Sequence, residues 1–231
     1  MNPNQRITTL SNPDEPACMM KSSKLIPALL ILWLLLILSG FWMLWQYANT
    51  PGSQGHPNAG WMIPASLNTD TQKPTLVLFA HPRCPCTRAT MSELERLQGD
   101  YGDVFSTLVL FYEPIDGGDS WRSTDLWRRA LTMKHTTAVA DPGGELAMRA
   151  GAETSGQIML KNVDGGLEFW GGITASRGHE SESFGGIALR SLIQGLETGH
   201  RRTQVFGCSL IAENGELDCL AGEACCELSG Q

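Results

Sequence analysis

An uncharged apolar run from Leu25 to Trp45 constrains this chain more than any other feature. Its 21 residues carry no charged side chain, and an apolar helix of about 20 residues spans the hydrocarbon core of a bilayer. The alternative is a secretory signal peptide, whose apolar stretch is usually shorter, about 7–15 residues. Only a poor cleavage sequence, Ala48-Asn49-Thr50, follows the run. We therefore predict an uncleaved signal anchor that crosses the membrane once, over residues 25–47.

The charges that flank this anchor predict its orientation. Arg6, Lys21 and Lys24 precede it, whereas no Lys or Arg follows it until Lys73. Basic flanks remain in the cytoplasm. We therefore expect residues 1–24 to form a cytoplasmic tail, and the rest of the chain to lie on the extracytoplasmic (periplasmic) side of the cytoplasmic (inner) membrane.

Net charge and cysteine content narrow the classes of partner and chemistry. The net charge of -7 argues against a nucleic-acid partner, because phosphate binding needs clustered Lys and Arg. Of the seven cysteines, all but Cys18 lie beyond the anchor. Thiols outside the cytoplasm can be oxidised and stay oxidised, so disulfide chemistry is the leading interpretation for those six.

Composition divides the extracytoplasmic part into three segments. Residues 48–73 are rich in Gly, Pro, Asn, Ser and Thr, which is typical of a linker that acts as a spacer. Residues 74–204 alternate short apolar runs with amphipathic stretches. Residues 205–231 contain five acidic residues, no Lys or Arg, and four cysteines, and we interpret them as a Cys-rich acidic tail.

The middle segment predicts an α/β domain of the order β-α-β-α-β-α-β-β-α. Alternating strands and helices require right-handed crossovers and a central sheet with helices on its faces. The predicted elements, in chain order, are a strand at 75–80, a helix from Pro85 to about 98, a strand at 105–112, a helix from Ser123 or Thr124 to about 133, a strand at 137–140, a helix at 144–150, a hairpin of 157–161 and 167–170, and a helix at 186–197.

The first of these strands runs directly into Cys84-Pro85-Cys86. Proline is favoured at the first helical position, so Pro85 would make Cys84 the N-cap and Cys86 the second helical residue. Free amides of the first turn and the helix dipole would then stabilise a thiolate at Cys84. Cys84 is therefore the predicted nucleophile, with a lowered pKa, and Cys86 its resolving partner.

A disulfide between Cys84 and Cys86 would be strained, because only one residue separates them. Strain makes such a bond more readily reduced, and hence more oxidising toward partners. The alternatives are two inert buried cysteines or a permanent local staple. A reactive pair is favoured because the motif lies at a strand-to-helix junction outside the cytoplasm.

The sequence LVLFAHPRCPCTRA, with the motifs TSGQ and GGITASRGHE further along the chain, resembles bacterial RedB-type thioredoxin-domain proteins. These form a membrane-anchored redoxin branch of the thioredoxin-like superfamily, and the resemblance covers about residues 74–208. It implies a thioredoxin-like fold with a central mixed sheet flanked by helices. It also implies a thiol-disulfide oxidoreductase-like domain, without indicating a particular substrate. For exchange at the cysteine pair we expect protein thiols or disulfides as partners and no required cofactor.

Two departures from thioredoxin affect this expectation. The usual Trp-Cys-x-x-Cys is replaced by Pro82-Arg83-Cys84-Pro85-Cys86, and Ser155, after Thr154, stands where the resemblance places a cis-proline. In thioredoxins that proline shapes substrate docking and blocks metal capture by the thiols. Its absence raises the prospect that the site binds a metal.

Two histidines are further candidates for the site. His81 lies three residues before Cys84, and His179 lies in a glycine-rich loop. Either could increase thiolate character at Cys84, or join Cys84 and Cys86 around Cu(I), a soft metal that prefers thiolates. For His179, solvent exposure is the simpler interpretation. A copper-binding or copper-delivery protein is thus the alternative to an oxidoreductase, and a non-catalytic interaction domain is a third hypothesis.

Four cysteines follow the domain: Cys208, Cys219, Cys225 and Cys226. They could form structural disulfides, a metal cluster, or a relay that re-reduces the Cys84 pair. Neighbouring cysteines rarely bond to each other, because the ring is badly strained. Disulfides that staple the acidic tail are the favoured interpretation, and the spacing does not fix their connectivity.

Overall fold

The computed structural model describes residues 24–67, 70 and 72–211, so the tail at 1–23 and the three cysteines Cys219, Cys225 and Cys226 lie outside the described residues. The chain divides into two compact units, one up to Trp45 and one from Gln46 onward. The helices are α1 Leu25–Asn49, α2 Pro85–Tyr101, α3 Asp119–Arg122, α4 Asp125–Thr132, α5 Glu145–Ala150 and α6 Phe184–Ile193. The strands are β1 Thr75–Ala80, β2 Ser106–Glu113, β3 Thr136–Pro142, β4 Gln157–Lys161 and β5 Leu167–Gly171.

Helix α1 has the length and composition of a membrane-spanning helix. Within the described residues it is the one helix long and apolar enough to cross a bilayer, and none of its residues is buried. Large apolar side chains such as Leu36, Phe41 and Trp45 are exposed. An exposed apolar surface of this extent is typical of contact with lipid or with another protein. The helix is therefore compatible with the predicted single-pass anchor.

A mixed five-stranded sheet forms the centre of the second unit. Its strand order is β3-β2-β1-β4-β5. Strands β1, β2 and β3 are parallel to one another, β4 is antiparallel to β1, and β5 is antiparallel to β4. Strand β1 lies in the middle with all six residues buried, which explains its continuous apolar sequence. The predicted central mixed sheet flanked by helices is confirmed.

Alternate residues of β1 enter two separate cores, one on each face of the sheet. On one face Leu78 packs in a cluster with Met91 of α2. On the other face Phe79 lies between Trp61 and Trp170, with ring centroids 6.2 Å away in each case. Both faces of the sheet are thus covered, and the end of β1 is held rigidly from both sides.

Element ends differ from the sequence prediction by a few residues, and the short helix α3 was not predicted. Thr124 caps α4 as expected, since its hydroxyl accepts a hydrogen bond from the Trp127 amide at 3.3 Å. Helix α6 begins two residues earlier than predicted, because the Ser183 hydroxyl accepts from the Gly186 amide and caps it. It ends at Ile193, before residues expected to be helical.

The stretch predicted to be a spacer packs against the domain. Trp61 is only 5% exposed, and its carbonyl accepts a hydrogen bond from the Lys161 ammonium. The carbonyl of Gln54 accepts from the indole nitrogen of Trp170 at 3.0 Å. The apolar area of Trp61 completes the second core, so residues 52–63 are part of the folded domain rather than a free linker.

The domain also continues past its predicted end at residue 204. We use the name return segment for residues 205–211, which come back across the domain after α6. Val205, Phe206 and Leu210 are buried, and Val205 accepts a backbone hydrogen bond from Gly52 at 2.9 Å. The described part of the predicted acidic tail therefore belongs to the folded domain.

Candidate active site

The cysteine motif lies where β1 gives way to α2. The Cys84 amide donates to the His81 carbonyl at 3.1 Å, which closes a tight turn after the strand. Cys84 is the N-cap, with extended backbone angles, and Pro85 occupies the first turn of the helix. The local geometry expected from the sequence is thus present, and it holds Cys84 at the edge of the sheet.

Three sulfur atoms meet at this junction. Cys84 and Cys86 are buried and Cys208 is half-buried, and all three are free thiols. Their sulfur atoms lie within 4.8 Å of one another. The Sγ atoms of Cys84 and Cys208 are 3.0 Å apart, although the two residues are 124 positions apart in the sequence. Cys208, which the sequence assigned to a stapled tail, therefore belongs to the site.

The hydrogen bonds among the three sulfurs shift the pKa values of the thiols in opposite directions. The pKa of Cys84 is well below its ordinary value, chiefly because of its hydrogen bonds with Cys208 and then Cys86; burial opposes this, and Thr87 adds to it. The same hydrogen bond raises the pKa of Cys208, whose proton is held against Cys84. The pKa of Cys86 is also raised: the hydrogen bond with Cys208 acts against the rise, but the one to Cys84 and burial outweigh it.

The cause of the low pKa differs from the one expected. Within the described residues, the Cys84 side chain accepts no capping hydrogen bond from the first-turn amides of α2. Thiol donors supply the stabilisation that the sequence assigned to amides. The direction of the shift agrees with the prediction, and the role of Cys84 as the nucleophile stays a prediction.

His81 forms a wall of the site and lies outside the sulfur group. Its ring stacks on Tyr112, with centroids 5.6 Å apart, and meets the edge of Trp121 at 5.4 Å. Nδ1 accepts from the Arg83 amide at 3.2 Å, while Nε2 has no hydrogen-bond partner among the described residues. Burial lowers the pKa of His81 to about 4. The imidazole is therefore neutral near pH 7 and adds no positive charge that would favour a thiolate.

The loop before β4 faces the cysteines and carries Ser155. The Ser155 hydroxyl accepts from the His81 amide at 2.7 Å and lies 2.5 Å from the Thr87 hydroxyl. The Ser155 amide donates to the Cys208 carbonyl at 2.9 Å. The described residues contain no cis peptide bond. Ser155 thus ties together the end of β1, the start of α2 and the return segment, while Thr154 forms a backbone bridge with Ser209.

The glycine-rich loop does not bring His179 to the thiols. His179 is exposed and is not a member of the three-sulfur group. Its neighbour Glu180 accepts from the Ser92 hydroxyl at 2.8 Å, which fixes the loop against α2. Arg177 of the same loop, which the sequence did not single out for the site, donates a hydrogen bond to the Gly207 carbonyl beside Cys208.

Topology and site together decide the fold. Strands β2, β1, β4 and β5 form a core in which β1 and β2 are parallel, and the β-β-α unit of β4, β5 and α6 follows. The cysteine motif begins the helix after β1, opposite the loop before β4. The domain is thioredoxin-like. Strand β3 and helix α5 come before the hairpin, and β3 lies at the edge of the sheet beside β2. The RedB-type resemblance stays a prediction.

The first two of the following solved structures share this fold at low sequence identity. An uncharacterized conserved protein from Geobacillus kaustophilus is 18% identical, with a TM-score of 0.53 over 73% of this chain and 95% of that one. A hypothetical protein from Sinorhizobium meliloti is also 18% identical, with a TM-score of 0.51 over 73% and 94%. A secreted Mycobacterium tuberculosis disulfide oxidoreductase homologous to E. coli DsbE is 16% identical, with a TM-score of 0.38 over 65% and 98%. The sequence matches no protein-family model and has no significant match among curated proteins.

Proposed function

We propose that this chain is a membrane-anchored, extracytoplasmic thiol-disulfide oxidoreductase whose substrates are protein thiols or disulfides. One observation carries the proposal: the buried N-cap residue Cys84 has two further thiol sulfurs within 4.8 Å of its own, and its hydrogen bonds with them lower its pKa. A purely structural cysteine gains nothing from such an environment, whereas thiol-disulfide exchange requires a thiolate together with a second thiol in reach.

The exchange proceeds in two displacements at sulfur. The Cys84 thiolate attacks one sulfur of a partner disulfide, so that a mixed disulfide forms and the other partner sulfur leaves as a thiolate. A second thiol of the site then loses its proton and attacks Cys84 Sγ, which releases the partner as a dithiol. Cys86, the neighbour in the motif, is the resolving thiol that the sequence predicts.

Helix α1 and its flanking charges support the proposed location. The helix is long and apolar enough to cross a bilayer, and the basic residues that precede it favour a cytoplasmic N-terminus. The thioredoxin-like domain then lies in the periplasm, attached to the inner membrane. That compartment maintains the oxidising conditions in which a cysteine pair can cycle.

Trapping of mixed disulfides tests the oxidoreductase proposal. In full-length chains expressed in membranes, a Cys86→Ser, Cys208→Ser variant retains the nucleophile and lacks both neighbouring thiols. We expect it to accumulate partner adducts that disappear on reduction, and mass spectrometry to locate them at Cys84. The matched control adds Cys84→Ser. Equal adduct levels in the two variants would overturn the proposal.

A Cu(I)-binding function is the second candidate, and the three clustered sulfurs favour it. Cu(I) prefers thiolate ligands, and three sulfur atoms within 4.8 Å can surround one ion. The proposed ligands are Cys84, Cys86 and Cys208, since neither predicted histidine belongs to this group. Titration of the reduced full-length chain with Cu(I) against a chromogenic chelator should give one tightly bound ion per chain. Unchanged binding in a Cys84→Ser, Cys86→Ser variant would exclude this site.

A further inference from the structure

The return segment docks beside the cysteine motif in the manner of an added strand. The Ser155 amide donates to the Cys208 carbonyl at 2.9 Å, and the Leu210 amide donates to the Glu153 carbonyl at 2.8 Å. Between these two bonds, Thr154 and Ser209 form an antiparallel bridge. Strand addition of this kind fixes an extended segment through its main chain, while alternate side chains determine the register.

The side chains of the return segment fix that register. Phe206 and Leu210, on either side of Cys208, are both buried, at 8% and 2% exposure. At Gly207 an added Cβ would lie 1.8 Å from the Ser155 carbonyl oxygen, so the close approach requires glycine. Arg177 holds the Gly207 carbonyl from the other side. These contacts hold the Cys208 sulfur against Cys84.

Cys208 is better placed than Cys86 to form a bond with Cys84. The sulfurs of Cys84 and Cys208 are 3.0 Å apart, so they need to approach by about 1 Å to reach the disulfide length of about 2.05 Å. The two residues lie on separate segments, so a disulfide between them closes no small ring. A bond between Cys84 and Cys86 would close a ring across one residue at the start of a helix, which is strained.

We propose that Cys208 is a third redox-active thiol, and that the disulfide of the oxidised protein joins Cys84 to Cys208. The proposal rests on the oxidoreductase function and changes the identity of its resolving residue. The oxidant is a partner disulfide. The Cys84 thiolate attacks it and releases one partner thiolate, which takes a proton from water. Cys208 then gives its proton to water and attacks Cys84 Sγ. The second partner sulfur leaves and is protonated, and two electrons have passed to the partner.

Disulfide mapping and resolution kinetics test this proposal on the purified full-length chain, in a background with Ser at the other four cysteines. Glutathione disulfide serves as the oxidant, so the result does not depend on any protein partner. After acid quench and tryptic cleavage, we expect a peptide that begins at Cys84 to be linked to one that contains Cys208. In a Cys86→Ser variant the link should persist, which assigns it to Cys84.

Resolution of the glutathione adduct on Cys84 gives the second measurement. Cys208→Ser should slow it about 100-fold or more, because a thiol held against its target acts at a high effective concentration. Cys86→Ser should change the rate of resolution by no more than about threefold, since the Cys86 thiol is not required in this scheme.

A matched pair next to Cys208 controls for loss of the thiol itself. Gly207→Ala keeps all three thiols but displaces the return segment, and should slow resolution as Cys208→Ser does. Ser209→Ala alters an exposed residue and should not. A main product that joins Cys84 to Cys86, with resolution unaffected by Cys208→Ser, would overturn the proposal. Absence of partner adducts in cells would instead refute the oxidoreductase function and leave this result in place.

Discussion

Oxidation of the site should stabilise the domain by an amount that reveals which disulfide forms. Cys84 and Cys208 are 124 positions apart, and a crosslink that closes so long a loop removes chain entropy worth about 5 kcal/mol from the unfolded state. A crosslink between Cys84 and Cys86 closes almost no loop, and the same relation gives about 1.5 kcal/mol before strain is subtracted. The two possible disulfides therefore predict clearly different free energies of unfolding.

The value of about 5 kcal/mol is an upper limit, because the reduced state is stabilised as well. Hydrogen bonds with Cys208 and Cys86 lower the pKa of Cys84 in the folded reduced protein and so favour its thiolate form. That stabilisation is lost when the disulfide forms. We therefore expect oxidation to add about 3–5 kcal/mol to the free energy of unfolding, within the range measured for disulfides.

Urea unfolding of the full-length chain in detergent measures this difference. Fluorescence of the buried Trp61 and Trp170 reports on unfolding of the domain, and the background contains Ser at the four remaining cysteines. Oxidised and reduced samples are compared at equal protein concentration. A stabilisation of 3–5 kcal/mol should also raise the melting temperature by about 10 °C in a domain of this size.

Two variants show which disulfide is responsible. Cys86→Ser should keep the full stabilisation on oxidation, whereas Cys208→Ser should retain about 1.5 kcal/mol or less. If the unsubstituted site gains no more than the Cys208→Ser variant, the long-range crosslink does not form and the assignment of Cys208 is refuted.

Three further predictions concern the surroundings of the thiols. Burial lowers the pKa of His81 to about 4, so the folded state binds a proton on His81 less readily than the unfolded state does. The free energy of unfolding should therefore fall by about 3 kcal/mol between pH 6.5 and pH 4. His81→Phe should remove that loss in urea titrations. Alkylation of Cys84 by iodoacetamide should persist well below the ordinary pH range of thiols, and Cys208→Ser should shift its profile to higher pH. Ser155→Pro, which removes the amide that binds the Cys208 carbonyl, should abolish the Cys84–Cys208 product on mapping, whereas Ser155→Ala should retain it.

The sequence predicted those parts of the domain that depend on local physics. The apolar run of β1 follows from burial on both faces, and Pro85 marks the first turn of α2 because a proline there gives up no hydrogen bond. Such features need only a window of about ten residues. The N-cap position of Cys84 and the central sheet could therefore be predicted from the sequence alone.

Residues 48–73 show where composition misleads. Glycine and proline are typical of linkers, but they do not exclude a segment that lies along a domain and is fixed by a few side chains. Trp61 is the exception within this stretch, since a large aromatic residue has no use in a free spacer. Trp61 is only 5% exposed, and its side chain fixes this segment against the domain, which the overall composition did not indicate.

The boundary at residue 204 failed for a different reason. The five acidic residues that define the tail all lie beyond residue 212, whereas 205–211 reads VFGCSLI and contains no charge. The composition changes after Ile211. A division after Ile211 would have left Cys208 in a sequence of apolar residues, which predicts burial. Its contact with Cys84 is long-range, and no spacing rule reports such a contact.

Ser155, which stands where thioredoxins have a cis-proline, also holds the return segment in place. A proline at this position has no amide hydrogen, so the carbonyl of Cys208 would lose the donor that holds it at 2.9 Å. Serine supplies that donor. Its hydroxyl also accepts a hydrogen bond from the amide of His81, in the turn that follows β1. The substitution that made the sequence look less like a redox enzyme therefore allows the chain's own return segment to occupy the loop.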